Sequence, residues 1–279
     1  MEKIVQKTPP IPFPPPPALA QRTAPTGPAR FVDTLCADVR VVTVPGRYSN
    51  THIVESAGSL LMADVGSVQD VALAEPVVRW LGKPVSAVIP THLHFDHMMG
   101  VDAASIRFGA EVVLGQSAHE LVRSGRTSRP PIRKTLGHFF IPWVWQGLPW
   151  MAGEDFPGGF EYGFPWSRNR FSRMGAALKD GQEIPGFDGW VPLHTPGHTD
   201  ECTSLFHQRS GFLICGDTIR NYEGGEWDPI VTDSPAYGRT MKMLAGLNVR
   251  AIFFGHGPVV TGEDLIAKIS NKYGVDSLG

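Results

Sequence analysis

Cysteine is scarce in this chain: Cys36, Cys202 and Cys215 are the only three among 279 residues. An odd number at wide spacing makes a poor disulfide framework, and the lack of any Cys-x-x-Cys pair argues against a thiolate zinc knuckle. Neither sign of charge is in excess: 25 Lys and Arg face 27 Asp and Glu, for a formal net charge of -2. Nothing global therefore points to a nucleic-acid or membrane partner. No apolar run reaches the roughly 18 residues of a membrane span. Residues 1–8 alternate charged and apolar side chains and carry no apolar signal core. The expectation is a soluble protein, cytoplasmic by default, although so few cysteines fit the periplasm equally well.

Apolar residues make up 42% of the chain, enough for one large domain or two small ones. Residues 9–30 are rich in proline and alanine, with Pro9, Pro10 and Pro12, then Pro14 to Pro17. Consecutive prolines favour extended polyproline II and pack poorly as helix or central strand. Residues 1–30 therefore read as a surface arm, with a docking ligand for another domain as the alternative use. The texture changes at residue 39. Residues 39–44 read as a strand, and 51–55 and 59–64 as two more around an Ala57-Gly58 turn. A helix is expected over 71–81, kinked at Pro76 or starting near residue 75. Residues 85–89 form a short apolar run that reads as a buried strand. A helix over 101–107, a strand over 111–114 and a helix over 117–123 follow. Residues 124–178 fit no simple pattern. Strands return at 190–194, 203–207, 211–215 and 251–254, with a helix over 235–247. Thr261, with Asp264 three residues on, is expected to cap a last helix. Its apolar face is Leu265, Ile266, Ile269 and Tyr273, and Gly274 ends it. This order suits two sheets packed face to face with helices outside.

Chemistry concentrates in Thr91-His92-Leu93-His94-Phe95-Asp96-His97, where four potential metal ligands fall within six residues, directly after a buried strand. Imidazole and carboxylate suit zinc, iron or manganese. A solvated polar loop is the bland alternative, but burying these groups unpartnered costs on the order of several kcal/mol, which a metal converts into binding energy. Three more pieces lie downstream: Thr195-Pro196-Gly197-His198-Thr199, Gly216-Asp217 and Gly255-His256-Gly257. Each sets an acid or base where a buried strand leaves a sheet, an edge that gathers side chains from distant sequence into one cleft.

Taken in order, these four pieces resemble the metallo-β-lactamase superfamily, and the resemblance spans residues 39–273. It implies an α+β fold, a four-layer αβ/βα sandwich of two mainly antiparallel sheets with the metals at one edge between them. Carried over, His92, His94 and His198 would bind a first metal, Asp96, His97 and His256 a second, and Asp217 both. Asp64 matches an acid that supports the site without binding metal. Met98-Met99-Gly100 departs from the Gly-Gly pair of many members, a change expected to alter packing and not ligation. The cofactors implied are two zinc ions, with iron or manganese as alternatives, about 3.5–4 Å apart and sharing a hydroxide. Asp96 and Asp217 would then take part in catalysis. Tyr222 loosely matches a tyrosine that helps as an oxyanion donor in lactonases of the family. Cys215 is expected in the core, and His52, His119, His138, His194 and His207 as ordinary polar or core residues.

Zinc β-lactamases generally lack the bridging aspartate, so Asp217 points to other branches. The expected reaction is hydrolysis of an ester, lactone or thioester bond in a small molecule with an apolar or acyl group. Alternatives are a phosphodiesterase or nuclease of the same fold, a mononuclear iron persulfide dioxygenase-like oxidoreductase, and a binding scaffold with a vestigial site. The insertion at 124–178 holds Trp143, Trp145, Trp150, Trp166, Phe139, Phe140, Phe156, Phe160, Phe164 and Phe171. It reads equally as a lid over the metals or as a satellite core or homodimer contact, with an interfacial membrane contact a third use. Arg123, Arg126, Arg129, Arg133 and Lys134 form either a solvated face or an anion site, too narrow a basic surface for a nuclease.

Overall fold

The computed structural model describes residues 20–23, 31–126, 155, 161–163, 167–222, 224–272 and 274. The first sheet runs in chain order: β1 (Ala20–Thr23), β2 (Val32–Cys36), β3 (Val39–Pro45), β4 (Asn50–Glu55), β5 (Leu60–Ala63), β6 (Val85–Ile89) and β7 (Glu111–Val112). It is antiparallel as far as β5 and parallel from β5 through β7. The second sheet uses β8 (Trp190–His194), β9 (Thr203–His207) and β10 (Phe212–Gly216); β11 (Ile219–Arg220) and β12 (Glu226–Trp227) form a separate ribbon. With β13 (Ala251–Phe254) and β14 (Val260–Thr261) its order is β14-β13-β10-β9-β8, and only β10 and β13 pair in parallel.

Successive strand residues face opposite sides, so strands buried on both faces feed two cores. Val41, Val54, Leu61 and Ile89 pack between the sheets against Phe212, Ile214 and Phe253. Their neighbours Val42, Ile53, Met62 and Val88 turn outward, under α1 (Val68–Leu81), α2 (Phe95–Met98), α3 (Val101–Phe108) and α4 (Gln116–Arg123). Those helices contribute Val71, Ala74, Met98, Val101 and Ala118. On the far side, Leu213, Cys215 and Ile252 meet Tyr237 and Leu244 of α5 (Ser234–Ala245). The result is the four-layer sandwich that the element order implied.

Two expectations about helices fail. The first helix starts at Val68 and continues through Pro76. Ser67 caps it, and a reciprocal bond from the Ser67 backbone to Asp70 completes a capping box. That cap and a buried face of Val71, Ala74, Val77 and Val78 outweigh the one backbone bond that Pro76 forgoes. The helix expected after Thr261 does not form. Val260 and Thr261 pair with Ile252 and Ala251, so the sheet satisfies the backbone that a cap would have served. Asp264 is left-handed at φ 53°, and only a 3-10 turn, Ile266–Lys268, remains. Leu265 and Ile266 stay buried without a helix.

Other readings meet the structure directly. Cys215 lies in the core, and Met98 and Met99 are both buried. Among the described residues no helix is long and apolar enough to cross a membrane. Of the insertion's Phe, Trp and Tyr residues only Tyr162 and Phe171 are described, stacked on each other. The tryptophans and other phenylalanines, His138, Arg129, Arg133, Lys134 and the arm's proline run lie outside the described residues.

His52 is a polar staple across the sandwich. It is fully buried on β4; its Nε2 donates to the Phe254 carbonyl at 3.0 Å, and its Nδ1 accepts from the Thr43 hydroxyl at 3.0 Å. Burial holds its pKa down at about 4, with the His97 ring adding to the effect and Asp64 and the Phe254 carbonyl opposing it. A folded pKa below the ordinary 6.5 gives stability that is complete above pH 6.5 and lost as pH falls towards 4. The depression corresponds to about 3 kcal/mol. Urea unfolding of the wild type should therefore lose stability on that order between pH 6.5 and 4, and His52→Asn should flatten the slope. Parallel pH profiles for the two proteins would rule out this role.

Candidate metal centre

Parallel neighbours leave a sheet at the same edge, and two parallel pairs build this site. Asp64 follows β5 and His92 follows β6; Asp217 follows β10 and His256 follows β13. The seven side chains read as metal ligands converge in two groups, His92, His94 and His198 in one, and Asp96, His97, Asp217 and His256 in the other. Within each group the ligand atoms lie within 4.8 Å of one another. His94 Nδ1 is 3.0 Å from His198 Nε2, and His97 Nε2 is 3.3 Å from His256 Nε2. Asp217 lies between the groups. Its Oδ1 is 3.2 Å from His97 Nε2 and 3.4 Å from His256 Nε2, and its Oδ2 is 3.9 Å from His198 Nε2.

Each ring is turned by what stands behind it. Asp64 accepts from the Thr91 amide at 2.7 Å and the Thr91 hydroxyl at 2.9 Å, and takes His97 Nδ1 at 2.9 Å. His97 therefore aims Nε2 at the cluster. Asp64 reaches no facing atom of the group, so it supports the site as expected and stays out of it. His198 donates from Nδ1 to the Ile230 carbonyl at 2.7 Å, which points its Nε2 inward. Ser49 donates to the Asp96 carbonyl at 2.6 Å and holds α2 against the β3–β4 connection. Asn50 donates to the carbonyls of Phe254 and Gly257, and so fixes the turn carrying His256 from the opposite sheet.

The donors present fit divalent cations. His92 Nε2 is buried without a hydrogen-bond partner, a cost of about 1–3 kcal/mol, and the other facing donor atoms meet only one another. Nitrogen and carboxylate oxygen are the donors such cations take. Charge is divided unevenly. Burial, reinforced by the neighbouring histidines, pushes His94 down to about 3 and His92 well below its ordinary value. Burial also opposes charge on His97, but Asp217, Asp64 and Asp96 outweigh it and carry that ring up to about 10. Burial would raise Asp96 and Asp217, yet His97 and His256 hold both below the carboxylate range.

Tyr222 is half exposed beside the second group, its ring stacked on His256 with centroids 5.9 Å apart. The Arg220 guanidinium lies over the Tyr222 ring, 5.1 Å from its centroid, and is paired to Glu226 at 2.8 Å. Sequence reading missed Arg220, Asp228, Glu201 and Asp155. Asp228 approaches His198 Nδ1 at 3.7 Å, and nothing local to Trp227-Asp228 signals it. Asp155, inside the insertion, is buried at the start of α1, where it accepts from the Ser67 hydroxyl, the Val68 amide and Tyr48. Glu201 was legible as an acid three residues after His198. His119 and His194 join neither group, and His207 bonds Ser210.

Gly255 shows how closely the turns approach. A Cβ there would lie 2.4 Å from His97 Cε1 and 2.8 Å from Asp217 Oδ1. Gly255→Ala should therefore lower stability by roughly 1–3 kcal/mol, as overpacking does, and reduce metal uptake measured by elemental analysis. Full uptake with unchanged stability would show that the turn relaxes freely.

The family model of the metallo-beta-lactamase superfamily matches residues 44–256, more than half of the chain. The Bacillus subtilis protein named "Probable metallo-hydrolase YqjP" is 26% identical over 201 residues, 67% of this chain and 59% of its own length. "Probable metallo-hydrolase YflN" of the same organism is 27% identical over 208 residues, 68% of this chain and 72% of its own. The chain thus spans under two thirds of the first relative. Among solved structures, a metallo-β-lactamase from Erythrobacter litoralis with β-mercaptoethanol in its active site superposes with a TM-score of 0.58 at 16% identity, over 92% of this chain and 98% of that one. Fold, family match and the order of the converging residues agree: the chain belongs to the metallo-β-lactamase superfamily.

Proposed function

We propose that the chain hydrolyses an ester, lactone or thioester bond with two divalent cations, zinc first. His92, His94 and His198 would hold one, and Asp96, His97 and His256 the other, with Asp217 available to both. The observation that carries this reading is Asp217, whose two oxygens face different groups. The relatives' names, metallo-hydrolases, support hydrolysis. When bound, the cations supply Lewis acidity, which makes water nucleophilic near neutral pH and stabilises negative charge on oxygen.

The remaining work falls to the chain. Asp64 and the Ile230 carbonyl keep His97 and His198 in the tautomers that offer Nε2. Asp96 Oδ2, 3.3 Å from His256 Nε2, is ionised and would accept the proton that the attacking water gives up and return it to the leaving group. Tyr222 is raised above its ordinary value, first by burial, so its phenol stays protonated at neutral pH. Stacked on His256, it donates to the oxyanion that develops at the carbonyl. Two described points of the insertion lie close to the elements that carry the site. Asp155 anchors at α1, and a Cβ on Gly163 would lie 2.2 Å from Phe95 N, beside His94. Residues 31–279 are then one catalytic domain carrying its own selectivity segment.

Aryl esters, acyl lactones, glutathione thioesters and bis-aryl phosphodiesters separate the branches. Carbonyl substrates should turn over, chelation should abolish activity, and Zn2+ should restore it. Turnover of phosphodiesters alone refutes the carbonyl assignment, and one iron per chain with oxygen uptake refutes hydrolysis. Asp217→Asn should cost more than the roughly 10–100-fold typical of outer residues and lose metal. Tyr222→Phe should lower kcat about 10-fold with full metal content, less than a fully buried oxyanion donor; an unchanged kcat removes Tyr222 from the chemistry.

A further inference from the structure

Tyr222 is 46% exposed, whereas Arg220, two residues before it, is 6% exposed. Arg220 stands opposite Glu226 in the β11–β12 ribbon, and its Nε donates to Glu226 Oε1 at 2.8 Å. Lys272 takes the second Glu226 oxygen, and Asp228 Oδ2 is 3.9 Å from Arg220 Nη1. Buried ion pairs add little net stability over apolar packing of the same volume, so cross-linking a short ribbon does not by itself account for a guanidinium here. What the partners do fix is its plane. The hydrogen bonds of a guanidinium lie in that plane and leave its faces for stacking. Over one face lies Tyr222, with the guanidinium carbon 5.1 Å from the ring centroid. The same ring stacks on His256, with centroids 5.9 Å and planes 21° apart. The backbone between them is pinned as well. The Asn221 amide donates to the His256 carbonyl at 3.0 Å, and Asn221 Nδ2 donates to the Pro258 carbonyl at 2.7 Å. Gly257 has no room for a Cβ against the Asn221 carbonyl. The segment carrying Tyr222 and the turn carrying His256 are thus one unit. The freedom left is in the side-chain torsions of Tyr222, which a half-exposed residue distributes over several rotamers unless neighbours select one.

We propose that Arg220 is a positioning residue for Tyr222: its guanidinium plane, locked by Glu226, selects the rotamer that keeps the phenol beside His256. The inference rests on the oxyanion role proposed for Tyr222. Turnover of the fastest carbonyl substrate of the panel, with para-nitrophenyl acetate as its aryl ester, tests it in wild type, Tyr222→Phe, Arg220→Lys and the double variant. Arg220→Lys keeps a positive charge beside Glu226 but has no plane to stack. It should lower kcat about 3–10-fold with full metal content. The double variant should match Tyr222→Phe, because the place of the ring matters only through its hydroxyl. Isotope-labelled tyrosine gives a second readout, independent of turnover. The NMR signal that Tyr222→Phe lacks should shift in Arg220→Lys, while the other tyrosine signals stay in place. An equal loss of kcat with and without the Tyr222 hydroxyl, or an unmoved Tyr222 signal, would mean that Arg220 only pairs with Glu226, and the proposal falls. Slower Tyr222→Phe beside an Arg220→Lys as fast as wild type also overturns it, and leaves the role of Tyr222 standing. An unchanged kcat in Tyr222→Phe, or a wild type that hydrolyses no carbonyl substrate, overturns the underlying reading and this inference with it. Should Arg220→Lys fail to fold, Glu226→Gln removes the charge that locks the guanidinium. It must lower kcat by a smaller factor, and only where the Tyr222 hydroxyl is present; a kcat equal to wild type overturns the proposal.

Discussion

The Asp217 carboxylate faces imidazoles on both sides, through one oxygen at 3.2 Å and through the other at 3.9 Å. A buried carboxylate held there is costly unless positive charge lies on both sides of it. The rest of the architecture can be read as the means of keeping that arrangement in place. β10 delivers Asp217 and its parallel partner β13 delivers His256. β6, parallel to β5, delivers the dense histidine turn next to its support, Asp64. Both deliveries occur at one edge because parallel strands end on the same side.

The two sheets also need to be held at a fixed offset, and apolar packing alone is not directional. Asn50 and His52 provide the direction. Both reach from β4 to the carbonyl of Phe254, two residues before His256. The backbone amide of Asn50 adds a bond to Gly255. A polar staple of this kind locates one ligand-bearing turn relative to the other, and a close-packed interior then resists any shift. Outside the sheets, Asp155 brings the insertion to the start of α1, whose preceding residues bond the helix that holds Asp96 and His97.

Local pattern carried much of this. The apolar and β-branched runs placed β3 to β10 and β13 within a residue or two, because strands buried on both faces must be apolar along their length, whereas β1, β2 and β14 went unread. The residues that converge were legible because His92, His94, Asp96 and His97 share one short turn, and because Gly and Pro flank the three downstream residues. The failures have a common cause. At Pro76 and Thr261 a local preference was read correctly but was overruled, by a buried helix face in one case and by sheet pairing in the other. Asp228, Arg220 and Asp155 were illegible because their partners lie far off in sequence or in another element.

The amino-acid order alone determined which residue types were available for metal chemistry and the period of the strands that carry them, since both are properties of short windows. It also determined that no thiolate framework competes with them. Tertiary structure decided which donors share a point in space, which ring nitrogen each histidine offers, and which carboxylates stand behind them. Those are matters of distance across chain separations of 33 to 159 residues, and only the closing of one sheet upon the other sets such distances.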